Sequence, residues 1–151
     1  MQLKRSPFVV PLAVLTLTSA ALAGSEEFQW SGAIAAGQTV EIKGVNGDIT
    51  ASPVSGSAVD VRAVKSSRRD DPREVRIEVV EHAGGVTVCA VYPGRTNECR
   101  PGAEGNLGAK DNDVTVSFTI GVPAGVEFVG TTVNGSIEVE DLDAGAQANT
   151  V

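Results

Sequence analysis

The chain has 151 residues and 15.5 kDa, room for one domain. Twelve basic residues stand against nineteen acidic ones, for a net charge of -7, and aromatic residues make up 4%. That composition excludes a basic, aromatic-rich nucleic-acid binder, and a single His leaves little for His-based catalysis.

Residues 1–23 read as a secretory leader. Lys4 and Arg5 form a short positive region, Phe8 to Leu17 is apolar, and Ala21-Leu22-Ala23 has the small-x-small form of a cleavage site. The apolar run is too short to span a bilayer comfortably, which disfavours an uncleaved anchor helix. Leu22-Ala23-Gly24 is followed by Ser25 rather than Cys, so lipid anchoring is not expected, and no later segment is apolar enough to span a membrane. Five of the seven Leu fall in this leader, whereas 24–151 holds 20 Val. A core filled by Val, Ile and Thr points to strands.

From Gly24 to Ala36 the pattern is mixed, with Phe28 and Trp30. From Gln38 the period is two: Val40 and Ile42 on one face, Thr39, Glu41 and Lys43 on the other. Val59, Val61 and Ala63 repeat it, with Asp60 and Arg62 outward. Lys65 to Arg73 is charged, contains Pro72 and reads as a loop. Val75, Ile77 and Val79, then Val86, Val88 and Ala90, flank Gly84-Gly85 and predict a β-hairpin. Gly94 to Asn112 has no periodicity; a loop this long is either mobile or tied down. Val114, Val116, Phe118 and Ile120 alternate most clearly, Pro123 and Gly125 turn the chain, and Val126, Phe128, Val133, Ile137 and Val139 predict further short strands. No sustained helical period follows the leader, so 24–151 is expected to be a single all-β domain.

Val45-Asn46-Gly47-Asp48-Ile49 recurs as Val133-Asn134-Gly135-Ser136-Ile137, and Asn149-Thr150-Val151 repeats the opening of the second copy eighteen residues after Val133. A step of this size with Asn-Gly corners fits β-solenoid rungs, Asn and Gly being tolerant of positive φ. The competing reading is a common hairpin turn met twice by chance.

Together with Val75–Pro93, Asp111–Phe128 and Thr131–Val139, the corner at 45–49 resembles the bacterial adhesin-type domain family DUF4097, over roughly residues 26–151. The resemblance implies a signal peptide, then antiparallel strands leading into stacked β-helix-like rungs, and it brings no catalytic residues. Members of that family usually continue with further rungs where this sequence stops at Val151, so the chain is expected to be a shortened form.

Cys89 and Cys99 are the two cysteines, and an exported protein meets an oxidising compartment, so a disulfide is expected. It would close a loop of about ten residues, worth about 2–3 kcal/mol on the loop-entropy model. His82 reads as a lone exposed turn residue. The acidic pairs Asp70-Asp71, Asp111/Asp113 and Asp141/Asp143 read as solvated turn carboxylates, since no calcium-loop pattern accompanies them. Arg62, Lys65, Arg68, Arg69, Arg73 and Arg76 form a basic cluster interleaved with Asp60, Asp70, Asp71, Glu74 and Glu78, read as self-neutralised. Asn134-Gly135-Ser136 matches a glycosylation acceptor by coincidence of a tight corner.

These features predict an exported, periplasmic or extracellular envelope domain of adhesin type, non-enzymatic, without metal or cofactor. Its expected partner is an envelope glycan or another envelope protein. A carbohydrate-active enzyme on a β-helix, or a sensory envelope domain, is the alternative.

Overall fold

The computed structural model describes residues 24–103, 105 and 107–151; the leader expected at 1–23 lies outside the described residues. Ten strands are present: β1 (Ser25–Ala33), β2 (Thr39–Lys43), β3 (Ile49–Val54), β4 (Ala58–Ser66), β5 (Arg76–His82), β6 (Gly85–Val91), β7 (Thr115–Pro123), β8 (Glu127–Thr132), β9 (Ile137–Val139) and β10 (Ala146–Thr150). A single 3-10 turn, Pro72–Glu74, precedes β5, its Arg73 N–H capped by the Asp71 carboxylate. The described residues contain no α-helix, in keeping with their Val-rich alternation.

The strands form two five-stranded sheets, ordered β1-β4-β7-β3-β9 and β10-β8-β2-β6-β5. The inward residues of both sheets make one core. Val40, Ile42, Ile49, Ala51, Val59, Ala63, Val86, Val88, Ile120 and Phe128 have no exposed surface. Each is an inward position of a period-two strand, so hydrophobic burial selects the register: a one-residue slip would turn the whole set to water.

The two Val-Asn-Gly corners do the same thing in space. The chain leaves the second sheet after β2, turns at Asn46-Gly47 and enters the first sheet as β3. After β8 it turns at Asn134-Gly135 and enters as β9. β2 pairs parallel with β8, β3 with β9, and Asn46 bridges to Asn134. β10 then pairs parallel with β8, Thr150 opposite Thr132, the eighteen-residue step seen in the sequence. On the other flank β6 and β7 lie parallel to β2 and β3, but β4, β1 and β5 add antiparallel. The sheets are therefore mixed and not closed, and the all-β expectation holds in that form.

Three local differences have physical causes. Residues 25–33 are a strand rather than a mixed lead-in: Phe28 and Trp30 lie opposite Ala63 and Val61 and pack on the core. Sequence patterning ends the next strand before Lys65, yet β4 runs through Ser66 and turns Lys65 inward at 6% exposure. Its Nζ donates to the Val75 carbonyl at 2.9 Å and pairs with Glu26, the residue directly opposite on β1. Finally, the corners owe less to positive φ than expected. Gly47 has φ of +125°, but Asn46, Asn134 and Gly135 do not enter that region. Gly135 is required by proximity, because a Cβ there would sit 2.1 Å from the Gly47 carbonyl oxygen.

Candidate functional site

β6 is buried along its whole length, unlike any other strand. Its inward residues meet the core, and its outward residues are covered by the irregular segment after Pro93. The cover is a second small cluster of Cys89, Val91 and Cys99, with Val80 and Leu107 against it. Cys89 and Cys99 are joined by a disulfide, as the sequence leads one to expect. Tyr92 closes the segment at its base: its hydroxyl donates to the Val114 carbonyl at 2.7 Å. Burial pushes the Tyr92 phenol up to about 12. Asn97 spans the interior, donating to the carbonyls of Tyr92 (3.0 Å) and Gly108 (2.8 Å) and accepting from the Gly108 N–H (3.1 Å). The segment is long but tied down.

Two side chains of β2 hold its outer lip. Lys43 Nζ donates to the carbonyls of Arg100 and Gly102. Glu41 Oε2 accepts from the Gly102 N–H at 3.0 Å and from the Thr87 hydroxyl at 2.8 Å, and Glu41 and Lys43 lie 3.7 Å apart. Thr87 in turn lies 3.0 Å from His82 Nε2, while the Gly84 N–H donates to His82 Nδ1 at 3.2 Å. With Nδ1 accepting and the Thr87 proton committed to Glu41, Nε2 carries the imidazole proton. His82 is thus half-buried and bonded, not the lone exposed turn residue expected.

Between this lip and the outward face of β2, β8 and β10 lies a cleft of about 460 Å³. Glu41, Val129 and Gln147 cross its floor in one row, and Thr131 and Asn149 continue the next. Pro101 and Ala103 form the opposite wall, and Thr39 and His82 close one end. The sequence marks Thr39 and Glu41 only as a solvent face. What it lacked was the knowledge that a distant segment folds over that face. A second depression of about 510 Å³ lies on the outer face of the first sheet, lined by Gln29, Ser52, Asp60, Arg62 and Thr119 among others.

The basic cluster is largely paired, but only Arg73 and Arg76 pair with the interleaved acids expected; Arg62, Lys65 and Arg69 reach Glu27, Glu26 and Asp113 instead. Arg62 holds Glu27 through two hydrogen bonds of 2.8 Å, Arg73 holds Asp71 at 2.7 Å, and Arg76 meets Glu78 at 2.9 Å. Arg69 lies 3.5 Å from Asp113. The Arg62 hydrogen bonds lower Glu27 to about 2, and those from Arg73 lower Asp71 to about 2. Asp113 is lowered too, chiefly by the Asp70 N–H; it also accepts the backbone N–H groups of Arg68 and Arg69, while Asp70 accepts the Asp113 N–H at 2.7 Å. These carboxylates therefore fix a loop. Asp143 accepts the Gly125 N–H at 3.1 Å, and Asp111 adopts a left-handed φ of 53°. Among the described residues no three His, Cys, Asp or Glu gather as metal ligands, and no helix is long and apolar enough to cross a membrane.

No family model and no curated protein matches the chain. Among solved structures, it is similar to a putative cell adhesion protein from Clostridium sporogenes ATCC 15579, at 12% identity and a TM-score of 0.44 over 82% of this chain and 59% of that one. It is also similar to a putative adhesin from Parabacteroides distasonis ATCC 8503, at 11% identity and a TM-score of 0.40 over 83% and 53%. The chain spans little more than half the length of these structures.

Proposed function

We propose that this chain is an exported cell-envelope domain of adhesin type that binds without catalysing, and that its parallel part is a short stack of solenoid-like rungs of the DUF4097 kind. The observation that carries the reading is the Cys89–Cys99 bond and its use. Disulfides persist outside the reducing cytosol, and this one lies in a small buried cluster apart from the main core, where it fixes a loop over a strand face. Rigid loops on a strand scaffold are where binding surfaces are built. The leader pattern at 1–23 and the parallel stacking of Asn46 on Asn134 agree with it.

Catalysis on a glycan would call for two carboxylates flanking a groove. Among the described residues Glu41 is the one acid lining the cleft, and its oxygens already serve Thr87, Gly102 and Lys43. This is why we favour binding. An envelope glycan or another envelope protein is the partner we infer.

The test is expression from residue 1 in a bacterial host, followed by fractionation, thiol counting and sedimentation of the purified domain with isolated cell envelopes. The reading expects a product shortened by about 2 kDa in the periplasm or medium, without free thiols, that co-sediments with envelopes. Full-length protein in the cytoplasm with two free thiols, or a domain that stays in the supernatant, overturns it.

A further inference from the structure

We propose that the cleft between the disulfide-held loop and strands β2, β8 and β10 is a binding site for a neutral glycan segment. This rests on the binding reading above and gives it a place and a ligand chemistry.

The first observation is charge. The acid of the cleft, Glu41, is spent on three internal partners, and the adjoining Lys43 is turned to the carbonyls of Arg100 and Gly102. Among the described residues an ionic ligand would find no free counter-charge there, and burying it beside paired charges would cost desolvation without return.

The second is what remains. Thr39, Thr131, Gln147 and Asn149 line the cleft, and their side chains hydrogen-bond to none of the described residues. Hydroxyls and side-chain amides each offer a donor and an acceptor. They repeat at strand spacing: Thr131 lies beside Asn149, and Gln147 beside Val129, about 4.8 Å apart across neighbouring strands. A sugar chain presents the same mixed donors and acceptors, hydroxyl after hydroxyl. Val129, Pro101 and Ala103 add apolar surface for its C–H faces. Polar groups set among apolar walls are the usual make-up of a small-ligand site of this volume.

The third is shape. An extended peptide recognises a sheet through the open backbone of an edge strand. The cleft floor runs across a face whose β2 and β8 backbones are already paired on both sides, so recognition there falls to side chains.

The experiment uses the oxidised domain on an array of printed neutral and acidic oligosaccharides, then calorimetry with the strongest hit at 50 and 500 mM salt. Gln147→Ala with Asn149→Ala removes the exposed amides of β10. Ser52→Ala with Thr119→Val alters the depression on the other sheet. The proposal expects neutral oligosaccharides to bind, affinity to change less than twofold with salt, the β10 pair to weaken binding at least tenfold, and the other pair to leave it unchanged. Binding of acidic sugars only, of printed peptides only, or of no sugar overturns it. So does a β10 pair that binds like the unaltered domain. If that pair still co-sediments with envelopes, the cleft is overturned and the adhesion reading stands; if the unaltered domain does not co-sediment, the adhesion reading itself has failed.

Discussion

Asn134 Nδ2 donates to Asn46 Oδ1 at 2.9 Å across 88 residues of sequence. The backbones join in the same way: Gly47 N–H donates to the Asn134 carbonyl at 2.8 Å, and the Asn134 N–H donates to the Val45 carbonyl at 2.7 Å. Recurrence of Val-Asn-Gly thus reflects two corners stacked in register. Asn134→Ala should cost about 0.5–1.5 kcal/mol, the net worth of one hydrogen bond. Asn134→Asp should destabilise more at pH 7, because two acceptors then face each other, and should recover toward the Ala variant as the new carboxyl protonates. Urea midpoints of the three proteins at pH 7 and pH 4 check this; an Asp variant equal to the native protein at pH 7 would remove the ladder.

Gly135 sits where the lower corner has no room. Its Cβ would meet the Gly47 carbonyl oxygen at 2.1 Å and the carbonyl carbon at 2.5 Å. Backbone has no rotamer with which to move aside, so Gly135→Ala should cost more than about 2 kcal/mol by prying the corners apart. Gly145→Ala is the control: nothing lies within 4 Å of its Cβ, and the change should stay within about 0.5 kcal/mol. Thermal or urea unfolding of both variants decides it, and two equal effects would refute the stacking requirement.

Lys65 is a cation aimed at a core edge. Its ammonium serves the Val75 carbonyl and the Glu26 carboxylate, and no buried side-chain polar atom among the described residues lacks a partner. Lys65→Ala leaves that carbonyl without its ammonium and removes a buried aliphatic stem, and should cost about 1–3 kcal/mol. Lys65→Met keeps the stem and should cost less. Hydrogen exchange of the Val75 region, protected in the native protein, should quicken in the Ala variant; unchanged exchange and unchanged stability would refute the assignment.

How far the sequence could be read follows from what kind of signal each part carries. Val40/Ile42, Val59/Val61/Ala63 and Val116/Phe118/Ile120 alternate, and alternation is dictated locally by the pleat, so those strands and their buried faces were legible. Lys65 and Glu26 were not, because an inward charge is tolerable only through its partner, and the partner is 39 residues away. The same holds for the outward side of β6. Nothing local in Cys89 and Val91 shows that they are covered; that follows only when the loop closed by Cys99 is laid over them. The cysteine pair announced that loop, but neither Glu41 nor Gln147 carries any local mark of the cleft they share. The corners were found by repetition, though for the wrong reason at Gly135, where crowding rather than φ sets the requirement.

Breaking the Cys89–Cys99 bond should act on the loop more than on the sheets. The two cysteines are ten residues apart, so a Cys89→Ala, Cys99→Ala protein should lose about 2–3 kcal/mol on the loop-entropy model. The main core does not include either residue, and far-ultraviolet circular dichroism should remain that of a β protein. Limited proteolysis should cut between residues 94 and 112 in the double variant and in the reduced protein, but not in the oxidised one. Equal cutting in all three would show that Asn97 and Tyr92 alone hold the segment.

Acid should loosen the domain through a defined set of carboxylates. Glu27 and Asp71 lie at about 2 in the folded chain because Arg62 and Arg73 hydrogen-bond to them. Asp48 is lowered by the Ser136 N–H and hydroxyl, which tie the two corners together at 2.7 and 3.0 Å, and Asp113 is lowered by backbone N–H groups of the 68–70 loop. Each binds protons less readily folded than unfolded, so each favours the fold while ionised. That contribution is complete above the unfolded pKa, near 4 to 4.5, and is lost as pH falls through the folded value. The urea midpoint should therefore hold steady from pH 8 to 5 as far as these groups are concerned, and fall between about pH 4.5 and 2. Asp48→Asn should flatten part of that fall and lower the midpoint at pH 7, because an amide accepts the Ser136 N–H less strongly than a carboxylate. A native midpoint unchanged down to pH 2.5 would mean these contacts do not persist in solution.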